Sequence, residues 1–252
     1  MKYIYRLKFP LILILILCLA FPILADMQSI GGQMGIGAPI SERIGGESFI
    51  RHCGADKLIY DFKAGSGTVV YDKSHNNNNG VFGAGAAAPT WRRNSLYFDG
   101  GDYVTLTGIN HGISTGEFTI SSFLNNFNNN SMYFDQGTVR MYAYCIDNKI
   151  SFSGTYITDT GIPTIKPISI QITRDNSTNL ECYINGKAQN KGQSLATDFT
   201  YNGTSNVKSG SNYVPSASYL IATMYSLRIL NKGLSGIECF QEYLANKFRG
   251  NN

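Results

Sequence analysis

Tyrosine and asparagine are prominent among the side chains of this chain that could recognise a ligand. Its 252 residues include 16 Tyr and 23 Asn. Sugar recognition combines an aromatic platform with hydrogen bonds from Asn, Asp and Gly-rich loops, so these residue types together favour a binding surface. The candidate ligand-binding positions are Tyr133, Tyr142, Tyr144, Tyr156 and Tyr201. The alternative is that these rings only cover the surface of a β-sheet, which is the commoner use of Tyr in a sandwich.

Residues for nucleophilic or acid–base catalysis are scarce. Gly112–Gly116 matches the pattern Gly-x-Ser-x-Gly, and His111 precedes it. A nucleophile elbow needs a strand before the Ser and a helix after it, whereas here a loop precedes and a strand-like run follows. The other two histidines, His52 and His75, lie near Gly or Asn and offer little for a general base or a metal site. The sequence therefore predicts a protein that is not an enzyme.

Residues 1–25 have the features of an export signal. Lys2, Arg6 and Lys8 precede an apolar stretch over residues 11–24, and Ala25 precedes Asp26. This order predicts a cleaved signal peptide. An uncleaved anchor is the alternative, since the stretch is at the short end of what spans a bilayer. Both interpretations place the remainder outside the cytoplasm, secreted or at the cell surface or envelope, with membrane contact only through this segment.

Charge excludes nucleic acid as a partner. Charged residues make up 15% of the chain, against roughly 25% in an average domain. The formal net charge of +4 falls to +1 once residues 1–25 are removed. A nearly neutral domain has no basic footprint for a phosphate backbone.

The cysteine count is consistent with an oxidising compartment. Cys53, Cys145, Cys182 and Cys239 follow the predicted signal peptide. An even number in an exported chain suggests two disulfides, for which three connectivities are possible. Their spacing does not fit a zinc site.

Two regions follow the export signal. Residues 26–56 are rich in Gly and have no sustained periodicity, so they are interpreted as a linker or arm. Residues 57–252 contain short β-branched and aromatic runs separated by Gly, Asn, Asp or Pro, which is typical of an all-β, antiparallel two-sheet sandwich or jelly roll. The runs are Leu58–Phe62, Thr68–Tyr71, Ser95–Phe98, Tyr103–Thr107, Phe118–Leu124, Val139–Ile146, Ile150–Ser153, Ile168–Thr173, Leu180–Ile184 and Tyr219–Leu230.

One short helix is predicted at the C-terminus. Ser235 and Glu238 have the spacing of a capping box. An apolar residue then recurs every three or four positions, which predicts one stripe that packs on the sandwich. The stripe consists of Ile237, Phe240, Leu244 and Phe248.

Several short pieces occur in an order that resembles a known family. They are Leu58–Phe62, Gly65–Gly67, Tyr71–Asp72, Pro89–Trp91, Leu96–Gly100, Asp102–Val104, Phe118–Ser121, Ile172–Asp175, Tyr183–Gly186 and Leu227–Ile229, with Asn231 and Leu234–Ser235 after them. Together they resemble the laminin-G-like, concanavalin A-like lectin/glucanase superfamily over about residues 57–245. The resemblance implies a two-sheet jelly roll whose first and last strands pair antiparallel.

The resemblance also implies disulfides and a metal. Pairing of the first and last strands would bring Cys53 beside Cys239, which implies the disulfides Cys53–Cys239 and Cys145–Cys182. Family members often hold calcium, and the matching positions here are Asp72, Asp99 and Asp102. The acidic residue that the family usually has before its last strand is absent, because Tyr225 and Ser226 stand there. Calcium also needs six to eight oxygen ligands, so backbone carbonyls would have to complete the site.

The glucanase branch of the superfamily uses the strand motif Glu-x-Asp-x-x-Glu, whose two outer carboxylates do the chemistry. No Glu of this chain has an Asp two residues later. The favoured hypothesis is therefore an exposed, non-catalytic module that recognises a glycan or an extracellular protein. The alternative is a structural subunit of an envelope, capsid or surface layer, and a carbohydrate-active enzyme is the weakest candidate.

Overall fold

Two antiparallel sheets form most of the part of the chain that the structure describes. The computed structural model describes residues 55–63, 65–106, 116–126, 131–135, 142–146, 149–152, 155–156, 166–175, 179–189, 193–194, 207–209 and 220–247. Sheet A contains β1 (Asp56–Asp61), β4 (Thr90–Arg92), β5 (Ser95–Asp99), β7 (Phe118–Asn125), β12 (Ile168–Arg174), β13 (Asn179–Ile184), β14 (Lys187–Ala188), β15 (Gln193–Ser194) and β17 (Ile221–Leu230). Sheet B contains β2 (Val69–Val70), β3 (Gly80–Phe82), β6 (Val104–Leu106), β8 (Ser131–Asp135), β9 (Tyr142–Ile146), β10 (Lys149–Phe152), β11 (Thr155–Tyr156) and β16 (Val207–Ser209).

The strand order is that of a sandwich with many crossovers. Sheet A runs β14-β13-β12-β7-β17-β5-β4, and sheet B runs β11-β10-β9-β8-β16-β6-β3-β2. The first strand β1 pairs antiparallel with the C-terminal half of β17, with Ile59 opposite Arg228. Every predicted run overlaps a strand, so the predicted two-sheet antiparallel fold is confirmed. Both sheets belong to the compact unit that runs from Ser48 to Asn252. The predicted division into residues 26–56 and 57–252 stays a prediction.

Apolar and polar side chains alternate along β12, so that the strand contributes to the core on one face of sheet A and to a polar layer on the other. Ile168, Ile170 and Ile172 belong to the hydrophobic core between the sheets. Successive strand residues point to opposite faces, so Ser169 and Gln171 lie on the outer face of sheet A. Both are nevertheless buried, because further structure covers that face.

Helix α1 (Gly236–Lys247) supplies that cover, and it packs in the opposite sense to the prediction. Its buried residues are Cys239, Glu242 and Asn246. The predicted apolar stripe is exposed: 71% of Ile237, 46% of Phe240 and 39% of Leu244 remain accessible. Phe248 lies outside the described residues. The stripe prediction was therefore wrong about which face of the helix meets the sandwich.

A buried cation explains the polar interface. Arg228 of β17 lies on the outer face of sheet A and is 1% exposed. Its guanidinium donates from Nη1 to Glu242 Oε1, and from Nε to Asp56 Oδ1 at 2.7 Å. Burying a charge is costly unless it is paired, so α1 must present Glu242 inward, which turns the opposite, apolar face outward.

The capping box at the start of α1 is confirmed. Glu238 Oε2 accepts the Ser235 backbone N–H at 2.9 Å, and Ser235 Oγ accepts the Glu238 N–H at 3.4 Å. Lys232 also forms an ion pair with Glu238. Burial raises the pKa of Glu238, but the hydrogen bonds from Lys232 and Ser235 lower it more, so its pKa lies below the ordinary value.

This lowered pKa makes the cap sensitive to acid. A carboxyl whose pKa is lower in the folded state stabilises the fold above its ordinary pKa, and the contribution is lost as pH falls through the folded value. We expect Glu238→Gln to cost about 0.5–1 kcal/mol at pH 7, and we expect the difference from the unsubstituted protein to shrink as the pH falls through the lowered folded-state pKa of Glu238. Urea unfolding at neutral and at strongly acidic pH measures this. An equal cost at both would show that the charge of Glu238 does not contribute.

No described helix is both long and apolar enough to cross a membrane.

Candidate ligand-binding surfaces

The ladder of sheet B aligns three of the predicted tyrosine positions. Ser151 of β10 pairs with Tyr144 of β9 on one side and with Tyr156 of β11 on the other. Tyr142 lies two residues before Tyr144 on the same strand, so its register position belongs to the same face. The register thus brings Tyr142, Tyr144 and Tyr156 to one patch of three adjacent strands, called here the tyrosine patch.

The core identifies the side of sheet B on which this patch lies. Ile150 and Phe152, which flank Ser151, are buried in the core between the sheets. Alternation therefore places Ser151 and its cross-strand partners on the outer face. Adjacent strands lie about 4.8 Å apart and alternate residues about 6.7 Å apart, so the three Cα positions span roughly 10 Å by 7 Å.

The other two predicted tyrosines do not join this row. Tyr133 falls at a β-bulge in β8, between Met132, which pairs with Tyr144, and Phe134, which pairs with Ala143. A bulge re-aims the extra residue relative to its neighbours, so its face does not follow from the ladder. Tyr201 lies outside the described residues.

A groove occurs on sheet A, beside the start of α1. Its volume is about 280 Å³, and it is lined among others by Asp175, Glu181, Tyr183 and Ser235. Tyr183 Oη donates to Glu181 Oε2 at 2.5 Å. Burial and the Glu181 carboxylate both raise the pKa of Tyr183, so its hydroxyl stays protonated. Asp175 Oδ1 accepts the Asn179 backbone N–H at 3.0 Å and holds the β12–β13 turn.

Sequence analysis missed this groove. Glu181 is isolated in sequence from other carboxylates, and only the i, i+2 spacing of Glu181 and Tyr183 on one strand could have indicated a shared face. Gly233 and Gly236, which also line the groove, come from the segment that leads into α1. That segment meets β13 only in the tertiary structure.

Asp72 is a hydrogen-bond acceptor at the centre of a loop. Its Oδ1 accepts the backbone N–H groups of Ile59 at 2.9 Å and Ser74 at 2.8 Å. Its Oδ2 accepts the Asn78 N–H at 2.9 Å and the Ser74 hydroxyl at 2.6 Å. Both oxygens therefore face donors, an arrangement that does not fit a calcium ligand.

Asp99 and Asp102 lie together in a turn built on Gly100, whose φ is 105°. Asp102 Oδ2 accepts the Asp99 N–H at 2.7 Å, and Asp99 Oδ1 accepts the Gly101 N–H at 3.1 Å. Burial, together with the neighbouring Asp99 carboxylate, raises the pKa of Asp102 despite the bond from the Asp99 N–H. Within the described ranges no three His, Cys, Asp or Glu side chains come together as a metal site, so the three predicted aspartates do not form one cluster. Calcium dependence remains a prediction, which calorimetry with calcium after chelation would test.

The cysteine pairing implied by the family resemblance is not present. Cys182 and Cys239 are both free and buried. Cys182 belongs to the core between the sheets, whereas Cys239 packs between α1 and sheet A. Neither Cys53–Cys239 nor Cys145–Cys182 is formed, and Cys53 itself lies outside the described residues. Burial raises the pKa of both thiols, so neither is reactive at neutral pH.

Comparison with known proteins identifies the architecture. No protein-family model matches the chain, and no curated protein sequence matches it. Domain 4 of AbnA, an extracellular GH43 arabinanase from Geobacillus stearothermophilus solved with arabinotriose, is 14% identical with a TM-score of 0.60, covering 75% of this chain and 98% of that one. Trypanosoma rangeli sialidase is 13% identical with a TM-score of 0.59, covering 76% of this chain and 33% of the sialidase.

A botulinum neurotoxin type C structure is also similar to this chain. It is 15% identical with a TM-score of 0.55, and the match covers 76% of this chain and 51% of that one. The chain therefore spans about a third of the sialidase structure and about half of the toxin structure. At these identities the likeness establishes a shared β-sandwich fold.

Proposed function

We propose that the protein is an exported, non-catalytic module of the laminin-G-like type, secreted or held at the cell surface, which recognises a glycan. The observation that carries this proposal is the tyrosine patch on the outer face of sheet B. The Cα positions of its three tyrosines span roughly 10 Å by 7 Å, which is comparable with the size of one or two sugar rings.

Two properties of the known structures support a glycan as the ligand class. The arabinanase domain was solved in complex with arabinotriose, and cell entry of botulinum neurotoxin type C depends on interaction with two ganglioside molecules. A sandwich of this architecture can therefore present a sugar-binding surface. Fold alone does not determine function, so the assignment to this chain depends on its own tyrosine patch.

The non-catalytic part of the proposal rests on the sequence. The chain lacks the Glu-x-Asp-x-x-Glu strand motif, and its Gly-x-Ser-x-Gly segment, Gly112–Gly116, leads into a strand rather than a helix. Neither pattern supplies the positioned acid, base or nucleophile that hydrolysis needs.

Substitution of the patch tests the proposal. After a glycan array identifies a ligand, we expect Tyr144→Ala and Tyr156→Ala each to weaken its binding by about 3- to 10-fold, which is what the loss of one aromatic stacking contact costs. Isothermal titration calorimetry measures the change.

Tyr71→Ala is the matched control, because Tyr71 is 68% exposed and lies beyond β2, outside the patch. Its binding should be unchanged. Equal loss in all three variants, or none in the patch variants, would contradict the proposed site. No glycan binding together with ordered self-assembly would instead support a structural subunit.

A further inference from the structure

Arg92 lies on the outer face of sheet A, on the last strand of that sheet. Its strand, β4, ends the strand order of sheet A beside β5. Trp91, the middle residue of β4, packs against the core between the sheets. Successive strand residues point to opposite faces, so Thr90 and Arg92 lie on the outer face, where both are exposed.

The ring of Tyr97 holds the guanidinium of Arg92 in place. Tyr97 lies on the outer face of β5, because its neighbours Leu96 and Phe98 belong to the core. The Arg92 Cζ atom lies over this ring, 3.6 Å from its centre, well within the range of a cation–π contact. Stacking occupies one face of the guanidinium and leaves the N–H groups along its edge available to a ligand.

No neighbouring carboxylate neutralises Arg92. Among the residues that the structure describes, neither Arg92 nor the exposed Arg93 forms an ion pair. Asp61 and Asp99 lie on the same outer face of sheet A, opposite Ser226 and Ile221 of β17, and neither pairs with these arginines. A guanidinium that is fixed, exposed and without a counter-charge favours an anionic ligand.

Two hydroxyl groups accompany the guanidinium. Thr90 on β4 is directly opposite Tyr97 on β5, so their Cβ atoms are about 5 Å apart on the outer face. Each hydroxyl can both donate and accept a hydrogen bond, which matches the hydroxyl groups of a sugar. The guanidinium matches a carboxylate, to which it can donate two parallel hydrogen bonds. The three groups together therefore fit a sugar that carries a carboxylate.

We propose that Thr90, Arg92 and Tyr97 form a second binding site, called here the Arg92 site, for an acidic glycan. Arg92 donates two N–H···O bonds to the carboxylate of one sugar ring, and the two hydroxyls hydrogen-bond the hydroxyl groups of that ring. Because Tyr97 already fixes the guanidinium, little side-chain freedom is lost on binding. The Arg92 site lies on the outer face of sheet A and the tyrosine patch on that of sheet B, so the two sites are separate.

Binding of trigalacturonate, an oligosaccharide of carboxylate-bearing sugars, to the full chain tests the Arg92 site. We expect Arg92→Gln to raise the Kd at least about tenfold. Arg92→Lys should raise it nearly as much, because an ammonium group cannot make the paired bonds. The fully methyl-esterified trisaccharide, which has no carboxylate, should bind the unsubstituted protein at least about tenfold more weakly. Isothermal titration calorimetry measures each Kd.

Arg93→Gln is the matched control. It removes the same charge from the adjacent exposed position, and at physiological salt it should raise the Kd less than about threefold. Arg92→Gln should leave thermal unfolding unchanged, because Arg92 is exposed on the last strand of the sheet. Tyr144→Ala, which alters the tyrosine patch, should leave trigalacturonate binding unchanged, so that each site can fail without the other.

Several outcomes would overturn the proposal. They are no binding at millimolar trigalacturonate, equal binding of the methyl ester, and an equal loss in Arg92→Gln and Arg93→Gln. Loss of binding in Tyr144→Ala would also overturn it, because the acidic sugar would then bind at the tyrosine patch. Tighter binding of polyglutamate that Arg92→Gln abolishes would assign Arg92 to an acidic peptide instead of a glycan.

Discussion

Arg228→Met is expected to destabilise the folded protein by about 3–5 kcal/mol, the usual cost of removing one partner from a buried ion pair. The guanidinium holds three elements together: β17, the start of β1 through Asp56, and α1 through Glu242. Methionine has a similar volume but leaves the 1%-exposed Glu242 carboxylate without its cation. Urea unfolding at pH 7, followed by circular dichroism, measures the loss.

An exposed ion pair provides the matched control. Lys232 pairs with Glu238 beside the same helix, but the two side chains are 38% and 24% exposed. Solvent weakens such a pair, so Lys232→Met should cost less than about 1 kcal/mol. A similar cost for Arg228→Met and Lys232→Met would show that burial of the network contributes nothing.

A compensating variant distinguishes charge from shape. If the loss in Arg228→Met comes from the stranded carboxylates, then Arg228→Met/Glu242→Leu/Asp56→Asn should recover a large part of it, since buried ion pairs can often be replaced by apolar groups at little cost. No recovery would indicate that the arginine acts through its packing alone. In this triple variant, α1 would also no longer need to place a carboxylate beside a buried cation.

Asp72→Ala is expected to cost about 2–4 kcal/mol, because one carboxylate accepts four hydrogen bonds and hydrogen bonds to charged groups are worth about 1.5–3 kcal/mol each, without being additive. The donors come from β1 at Ile59 and from the loop at Ser74 and Asn78. The alanine variant leaves three backbone N–H groups without their acceptor. Thermal unfolding at neutral pH measures this effect.

Neighbouring positions make the Asp72 prediction specific. Lys73 is exposed, and its backbone N–H donates to the Ile59 carbonyl at 2.8 Å, a hydrogen bond that alanine retains. Lys73→Ala should therefore stay within about 0.5 kcal/mol of the unsubstituted protein. Asp72→Asn keeps one acceptor oxygen and should fall between the two. Full stability of Asp72→Ala would contradict the acceptor role.

The sequence predicted those parts of the fold that depend on local pattern. The alternation of Ile168, Ile170 and Ile172 with polar residues predicts β12, because a strand places every second side chain on one face. The turn after β13 is equally local: Asn185 and Gly186 have φ values of 53° and 72°, as a type I′ hairpin requires. The strands that were not predicted, such as β3 (Gly80–Phe82) and β11 (Thr155–Tyr156), have only two to five residues and too little pattern to recognise.

The candidate site was predicted only in part. Sequence analysis selected Tyr142, Tyr144 and Tyr156 by residue type, but nothing in their numbers places them in one row. The row exists because β9, β10 and β11 are consecutive neighbours in sheet B with Ser151 as their common partner. The aspartates show the converse. The family resemblance grouped Asp72 with Asp99 and Asp102, whereas in the structure Asp72 accepts hydrogen bonds within a different loop.

Local chemistry alone determined the longer strands, the tight turns and the capped start of α1, since each depends on neighbours within a few residues. Tertiary structure decided which side of α1 faces the protein. A helical periodicity states which residues share a face, but not what lies opposite that face. Here a buried arginine lies opposite, 14 residues before its partner Glu242 in the chain, and the need to pair that charge outweighed the burial of three apolar side chains.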